Sequence, residues 1–160
     1  MADKSKTNAM RKLTALKLPY KEHYYTDTDA ISGIEVAEAL GEEPQRVFKT
    51  LVTVGKSSNH FVFMVPVTGE LDLKKAAKAA GEKNVEMIKS KELLPLTGYI
   101  HGGCSPIGMK KQFKTFADSS AMGYETIFCS GGKIGFQIEI TPDNLSKAVP
   151  INFCDLTKDN

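Results

Sequence analysis

Gly98-Tyr99-Ile100-His101-Gly102-Gly103-Cys104-Ser105-Pro106-Ile107-Gly108 sets four glycines and a proline between apolar neighbours. Glycine at that density marks backbone that passes close to something or adopts φ > 0. A second glycine turn, Ser130-Gly131-Gly132-Lys133, follows further along, and upstream Arg46-Val47-Phe48-Lys49-Thr50-Leu51 carries a lysine and a threonine inside an apolar run. Glycine turns offer free backbone N–H groups and a lysine offers positive charge. Together they suggest a pocket for an anionic or carbonyl-bearing ligand.

Outward from that loop the elements alternate irregularly. Ser5 or Thr7 can cap a helix running to about residue 17, with Met10, Leu13 and Leu16 on one face and Pro19 beyond it. Residues 20–25 read as a strand. Ser32 and Glu35 have the capping-box spacing, and the helix they start ends at Gly41. Pro44 begins one more turn. Residues 49–54 and 60–67 form a hairpin about the turn at 55–59. Asp72 caps a helix over 73–80 that Gly81 ends, and Ser90 caps a short helix over 90–94 that Pro95 stops. Tyr99-Ile100 reads as a short strand into the glycine loop, and 112–116 as extended. Residues 124–129 and 134–140 are strands joined by the Gly131-Gly132 turn, and Thr141-Pro142 starts a helix with proline at its first position. No regular βαβ rhythm runs through this order, which favours a mixed α+β domain over a doubly wound sheet.

The chain of 160 residues suits one domain, 1–160, with a real core. Its 41% hydrophobic and 25% charged residues are the ordinary balance of a soluble globular protein. No run of about 18 apolar residues exists to span a membrane, and residues 1–11 are polar without an apolar signal core. Cys104, Cys129 and Cys154 are widely spaced and odd in number, so neither a CxxC pair nor a disulfide framework is expected. A cytoplasmic location follows as the simplest compartment. The net charge of +2 is too small to argue for nucleic acid by itself. Lysines do cluster at 4–17 and at Lys110, Lys111 and Lys114, where a solvated face is the simpler reading.

His23, His60 and His101 have no partner at ligand spacing, so no metal site is expected. No Gly-x-Ser-x-Gly elbow appears. The glycines lack both the Walker ending and the dinucleotide spacing, which leaves ATP, NAD and any other cofactor unsupported. Cys104 invites a nucleophile reading, yet no base is identifiable for it, and a small buried hydrophobe is the simpler role. Lys49 is harder to dismiss. Alternation puts Lys49, Leu51 and Thr53 on one face of their strand and Phe48, Thr50, Val52 and Val54 on the other. A lysine at the head of an apolar strand either snorkels outward or serves a site.

The ordered strings Phe48-Lys49-Thr50-Leu51, Leu73-Lys74-Lys75-Ala76-Ala77, Thr97-Gly98-Tyr99-x-x-Gly102-Gly103-x-Ser105-Pro106-x-Gly108 and Glu125-Thr126-Ile127-x-x-Ser130-Gly131-Gly132-Lys133 resemble the YbaK/EbsC family. These are aminoacyl-tRNA deacylases related to the editing insertion of bacterial prolyl-tRNA synthetases. The resemblance runs from about Leu13 to Val149. It implies a compact α+β fold around a mixed, partly barrel-like sheet flanked by helices. It implies trans-editing hydrolysis of Cys-tRNA(Pro), with the aminoacylated 3′ end of tRNA as ligand and prolyl-tRNA synthetase as partner. Lys49 then matches the family's essential pocket lysine, Tyr25 a pocket tyrosine and Thr50 the threonine beside the lysine. Gly103, with Gly102, matches the glycine backbone lining the site, and Ser130 the serine before the second glycine turn. Two places depart from the pattern. A pocket phenylalanine falls near Ile31 and Ser32 here, and an acidic residue falls on Gln137. The first reshapes the pocket and the second removes a charge near the substrate amine.

The chemistry is compatible with these residues. An aminoacyl ester is already activated, so a site must mainly position it and stabilise the oxyanion. N–H groups around Gly102-Gly103 and the Lys49 cation suit that task; the lysine could alternatively hold the terminal phosphate. In the resembling family the substrate's own thiol can attack its ester, which explains why no protein nucleophile stands out. Pocket size alone would discriminate poorly, since one methylene is worth only about 1–3 kcal/mol. The departures leave two alternatives open: a deacylase for alanine or serine on tRNA, and a non-catalytic module that binds tRNA ends.

Overall fold

Thr7 Oγ1 accepts the Met10 N–H and starts helix α1 (Asn8–Ala15), whose Ala9, Met10 and Leu13 are buried. The computed structural model describes residues 6–26, 28, 30 and 32–159, so the alternative cap at Ser5 lies outside the described residues. The helix ends at Leu16, before Pro19, because Lys17 turns to a left-handed φ of 58°. Leu16 therefore leaves the apolar face and is exposed. The capping box of Ser32 and Glu35 opens α2 (Gly33–Leu40), and left-handed Gly41 closes it. Asp72 accepts the N–H groups of Lys74 and Lys75 and opens α3 (Leu73–Ala80).

Helix α4 departs from the expected span. It runs Ser90–Thr97, straight through Pro95, with Lys89 rather than Ser90 at the N-cap position. Proline here removes one bond to the exposed Lys91, whose carbonyl water can serve, so the helix continues to Gly98. Thr141 and Pro142 open α5 (Pro142–Ala148) as the sequence suggests.

The strands form two sheets. The first is antiparallel in the order β1 (Lys21–Tyr24), β7 (Phe136–Ile140), β6 (Ile127–Ser130). The second is mixed, in the order β4 (Val85–Met87), β2 (Phe48–Gly55), β3 (His60–Pro66), β5 (Lys114–Asp118), β8 (Ile151–Cys154). β2 pairs antiparallel with β3 and β4, while β3–β5 and β5–β8 are parallel. A single parallel bridge between Val47 and Phe128 links the sheets among the described residues, and they do not close into a barrel. The short edge strands β4 and β8, three and four residues long, are too brief to signal themselves by alternation. Tyr99-Ile100 is not a strand.

Burial explains the arrangement. Phe48, Met64, Phe136 and Ile138 of both sheets pack with Met10 and Leu13 of α1 and Leu145 of α5 in one core. Phe63, Phe116 and Leu71 pack under Ala76 and Ala77 of α3 in a second. Val52 and Val62 seat Leu93 of α4 with Tyr99, Cys104, Met109 and Phe113 in a third. Among the described residues no helix is long and apolar enough to cross a membrane.

Candidate active site

A cleft of about 400 Å³ opens where the two sheets, α2, α4 and the glycine loop meet. It is lined at its base by Phe48–Val52 of β2. Lys49 and Thr50 therefore both reach it, although alternation assigned them to different faces. The reason is an open strand edge. Val67 N–H donates to Val47 O and Gly55 N–H to Asn59 O, so the odd-numbered residues of β2 direct their backbone groups at β3. Those of Thr50 and Val52 point the other way. β4 pairs only with Thr53–Gly55, and Ile88 N–H reaches Val52 O at 3.3 Å. At Thr50 the edge faces the cleft with no strand beside it among the described residues.

Two buried oxygens lack partners among the described residues: Thr50 Oγ1 and Gln137 Oε1. Both residues line the cleft. A buried oxygen without a donor costs about 1–3 kcal/mol, so two in one cleft mark where a ligand's donors belong. Gln137 sits mid-sheet, paired in register with His23 and with Ser130. Lys49 is half-buried, and its ammonium forms no hydrogen bond or ion pair with another described residue. Its ammonium is available to an incoming oxygen.

Two other hydroxyls of the cleft meet backbone. Ser32 Oγ accepts the Glu35 N–H, and Ser130 Oγ accepts the Gly132 N–H at 3.1 Å. Tyr25 is buried just past β1, where its N–H donates to Gly135 O. Of the residues picked from sequence, Tyr25, Ser32, Lys49, Thr50, Gly102, Ser130 and Gln137 all line the cleft. Ile31 lies outside the described residues.

Gly103 stands apart from this lining. Its N–H donates to Ile100 O at 3.0 Å, and it does not line the cleft. Its role in the fold is close approach: a β-carbon there would lie 2.9 Å from the Ile134 nitrogen. Gly102, with φ of 87°, is the glycine of this loop that lines the cleft. The N–H groups of Gly102 and Cys104 make no hydrogen bond with another described residue. A turn that ties up the middle N–H leaves its neighbours available.

His101 and Cys104 also line the cleft, which neither the histidine nor the cysteine spacing revealed. Their place in the glycine loop was the only signal. Burial pushes the Cys104 thiol up to about 12, so almost no thiolate exists at neutral pH. No serine or cysteine of the cleft hydrogen-bonds a histidine among the described residues. No group of three or more His, Cys, Asp or Glu there could hold a metal ion.

Behind the cleft a polar clasp ties the first sheet to the approach to β2. Arg46 donates to Thr126 O, Thr126 Oγ1 donates to Glu139 at 2.6 Å, and His23 meets Glu139 at 3.0 Å. The Thr126 hydroxyl and then His23 hold the Glu139 carboxyl below the usual carboxylate value. Arg46 and His23 also lie against the Phe128 ring. The clasp anchors the segment that carries Lys49.

Over 153 residues the chain is 50% identical to EbsC of Enterococcus faecalis, a proposed Cys-tRNA(Pro)/Cys-tRNA(Cys) deacylase; the match covers 95% of this chain and 93% of EbsC. It is 30% identical over 102 residues, 64% of its length, to 18% of a proline–tRNA ligase of Shouchella clausii. A crystal structure of a proposed trans-editing enzyme for prolyl-tRNA synthetase superposes with a TM-score of 0.81 at 26% identity, covering 97% of this chain and 99% of that one. Residues 28–148 match the aminoacyl-tRNA editing domain. With this match spanning most of the chain, the protein belongs to the aminoacyl-tRNA editing domain family, the YbaK/EbsC deacylases.

Proposed function

We propose that this protein hydrolyses cysteine from Cys-tRNA(Pro) in trans, with the substrate's own thiol as the attacking group. The observation that carries the reading is the make-up of the cleft. An unpaired lysine, two partnerless buried oxygens and free loop N–H groups converge there, without a hydrogen-bonded nucleophile–base pair among the described residues. Such a site positions a reactive ester and stabilises charge, leaving bond-making to the substrate.

In this mechanism the α-ammonium of the cysteinyl group donates to Thr50 Oγ1 and Gln137 Oε1. The substrate Sγ–H gives its proton to solvent, and sulfur attacks the ester carbon. As the C–S bond forms, the carbonyl oxygen takes up charge beside Lys49 and the N–H groups of Gly102 and Cys104. The C–O bond to the ribose then breaks, and the ribose oxygen leaves as a hydroxyl after taking a proton from solvent. The released thiolactone is opened by water to free cysteine. Tyr25 and Ser32 shape the pocket, and Ser130 holds the second glycine turn against it.

A net charge of only +2 gives few phosphate contacts and a salt-sensitive grip on tRNA. Prolyl-tRNA synthetase, holding the same tRNA, is the partner that would compensate. The test compares Cys-, S-methyl-Cys-, Ser- and Ala-tRNA(Pro), together with Cys-tRNA(Cys). Rapid release from the Cys substrates and inert S-methyl-Cys support the reading. Rapid hydrolysis of the S-methyl ester overturns thiol attack, preference for Ser or Ala overturns the substrate, and tRNA binding without turnover overturns catalysis.

A further inference from the structure

The two lips of the cleft carry opposite charge. Residues 83–114, which contribute Met87, Ser90, Leu93 and Gly102 to the lining, hold six lysines against two glutamates, a net of +4. Residues 32–46, which contribute Ser32, Gly33 and Val36, hold four glutamates against the one cation Arg46, a net of −3, with Glu42 paired to Arg46 at 3.4 Å. The whole chain carries only +2, so this contrast is hidden in its overall charge. The lips are separate packed units. Leu93, Tyr99 and Phe113 seat the first on Val52 and Val62, while Ala37 seats the second on Val47 and Phe128.

The lysines of the first lip are also uncompensated. Lys83, Lys89, Lys91, Lys110, Lys111 and Lys114 are all exposed, and none forms an ion pair with another described residue. Elsewhere Lys6, Lys75, Lys147 and Lys158 each meet a carboxylate, while Lys17, Lys21, Lys56, Lys74 and Lys78 are exposed without an ion pair to another described residue but lie apart from the cleft lining. Lys89 and Lys91 stand at the N-terminal end of α4. Lys110 stands at the other end, where its N–H donates to Thr97 O, and Lys111 follows. An eight-residue helix spans about 12 Å, so the two pairs bracket room for a few consecutive phosphates.

We propose that the acceptor strand of the tRNA lies along α4, with its phosphates between the Lys89/Lys91 and Lys110/Lys111 pairs, and that the glutamates of the α2 lip repel it from the other side. The 3′ end then enters the cleft over Gly102, in the same loop that leads to Lys110. This surface rests on the aminoacyl-tRNA reading for its ligand, but its charge complementarity is to any RNA backbone.

The test measures binding of uncharged tRNA(Pro) by fluorescence anisotropy between about 50 and about 200 mM salt, for wild type, K89E/K91E, K110E/K111E and E38Q/E43Q. Each lysine pair should weaken binding by at least about tenfold, and its Lys→Ala counterpart should lower the salt slope by about 0.7–0.9 for each phosphate no longer neutralised. E38Q/E43Q should bind as well as wild type or better. In turnover, the lysine variants should raise KM for Cys-tRNA(Pro) at unchanged kcat and hydrolyse the cysteinyl ester of adenosine normally, since it lacks the phosphates. A melting curve checks that the reversed-charge proteins fold, and the alanine pairs replace any that do not. Unchanged tRNA binding in both lysine pairs, or no measurable binding by wild type, overturns the surface even where Cys-tRNA is hydrolysed. Binding weakened by the lysine substitutions, in a protein whose wild type hydrolyses no aminoacyl-tRNA, supports the surface and overturns the deacylase reading.

Discussion

Gly103 lies so close to Ile134 that a β-carbon at residue 103 would come within 2.9 Å of the Ile134 nitrogen and 3.0 Å of the Lys133 carbonyl carbon. The two glycine turns are thus in backbone contact across the fold. The Ile134 side chain also covers Gly102 from the same direction. The second turn holds the first, and with it the free N–H groups beside the cleft.

Gly103→Ala should therefore destabilise the protein by about 1–3 kcal/mol, as expected for a side chain forced against backbone. It should also lower turnover by moving Gly102. Urea midpoints and single-turnover rates check this, and an unchanged midpoint would contradict the close approach.

Lys49→Ala should cut deacylation by at least about tenfold, equivalent to about 1.4 kcal/mol of transition-state stabilisation. Its melting temperature should hardly move, because the ammonium has no partner to lose among the described residues. Near wild-type turnover would remove Lys49 from the mechanism.

Cys104→Ala should keep activity within a few-fold of wild type. With its thiol pushed up to about 12 by burial, Cys104 supplies no thiolate at pH 7. For the same reason iodoacetamide should label it slowly. A folded variant without activity would point to a nucleophilic cysteine.

Gln137→Glu should be less stable than wild type at pH 7 and recover toward pH 5. The buried Oε1 position has no donor among the described residues, so a carboxylate there is desolvated and unpaired until protonated. A pH-independent difference in denaturation midpoint would contradict this.

Glu139 gives an acid-side signature. Its carboxyl is held below the ordinary value of 4.5, first by Thr126 and then by His23. Folding therefore gains its full contribution above about pH 4.5 and loses it as pH falls through the depressed value. Glu139→Gln should flatten the loss of stability below that pH. Identical acid limbs for both proteins would show that the clasp contributes nothing.

Local chemistry determined much of this protein from sequence alone. Thr7, Ser32, Asp72 and Thr141 cap helices where their side chains predict, and the β2–β3 hairpin and Gly131-Gly132 turn follow their patterns, because each depends on neighbours a few residues away. The motifs likewise pointed to Lys49, Thr50, Ser130 and Gln137 before any geometry. Tertiary structure decided what those residues meet. Only the short reach of β4 leaves the β2 edge open, so that neighbours on opposite faces share one cleft. Only the packing of Gly103 on Ile134 leaves Gly102 as the glycine of its loop that lines the cleft, and only burial silences Cys104. Strand β8 exists because β5 offers it an edge, and α4 runs through Pro95 because the carbonyl it frees belongs to an exposed residue. Each of these outcomes depends on contact or exposure set by the assembled fold, where composition and spacing carry no information about burial or which backbone groups remain unpaired.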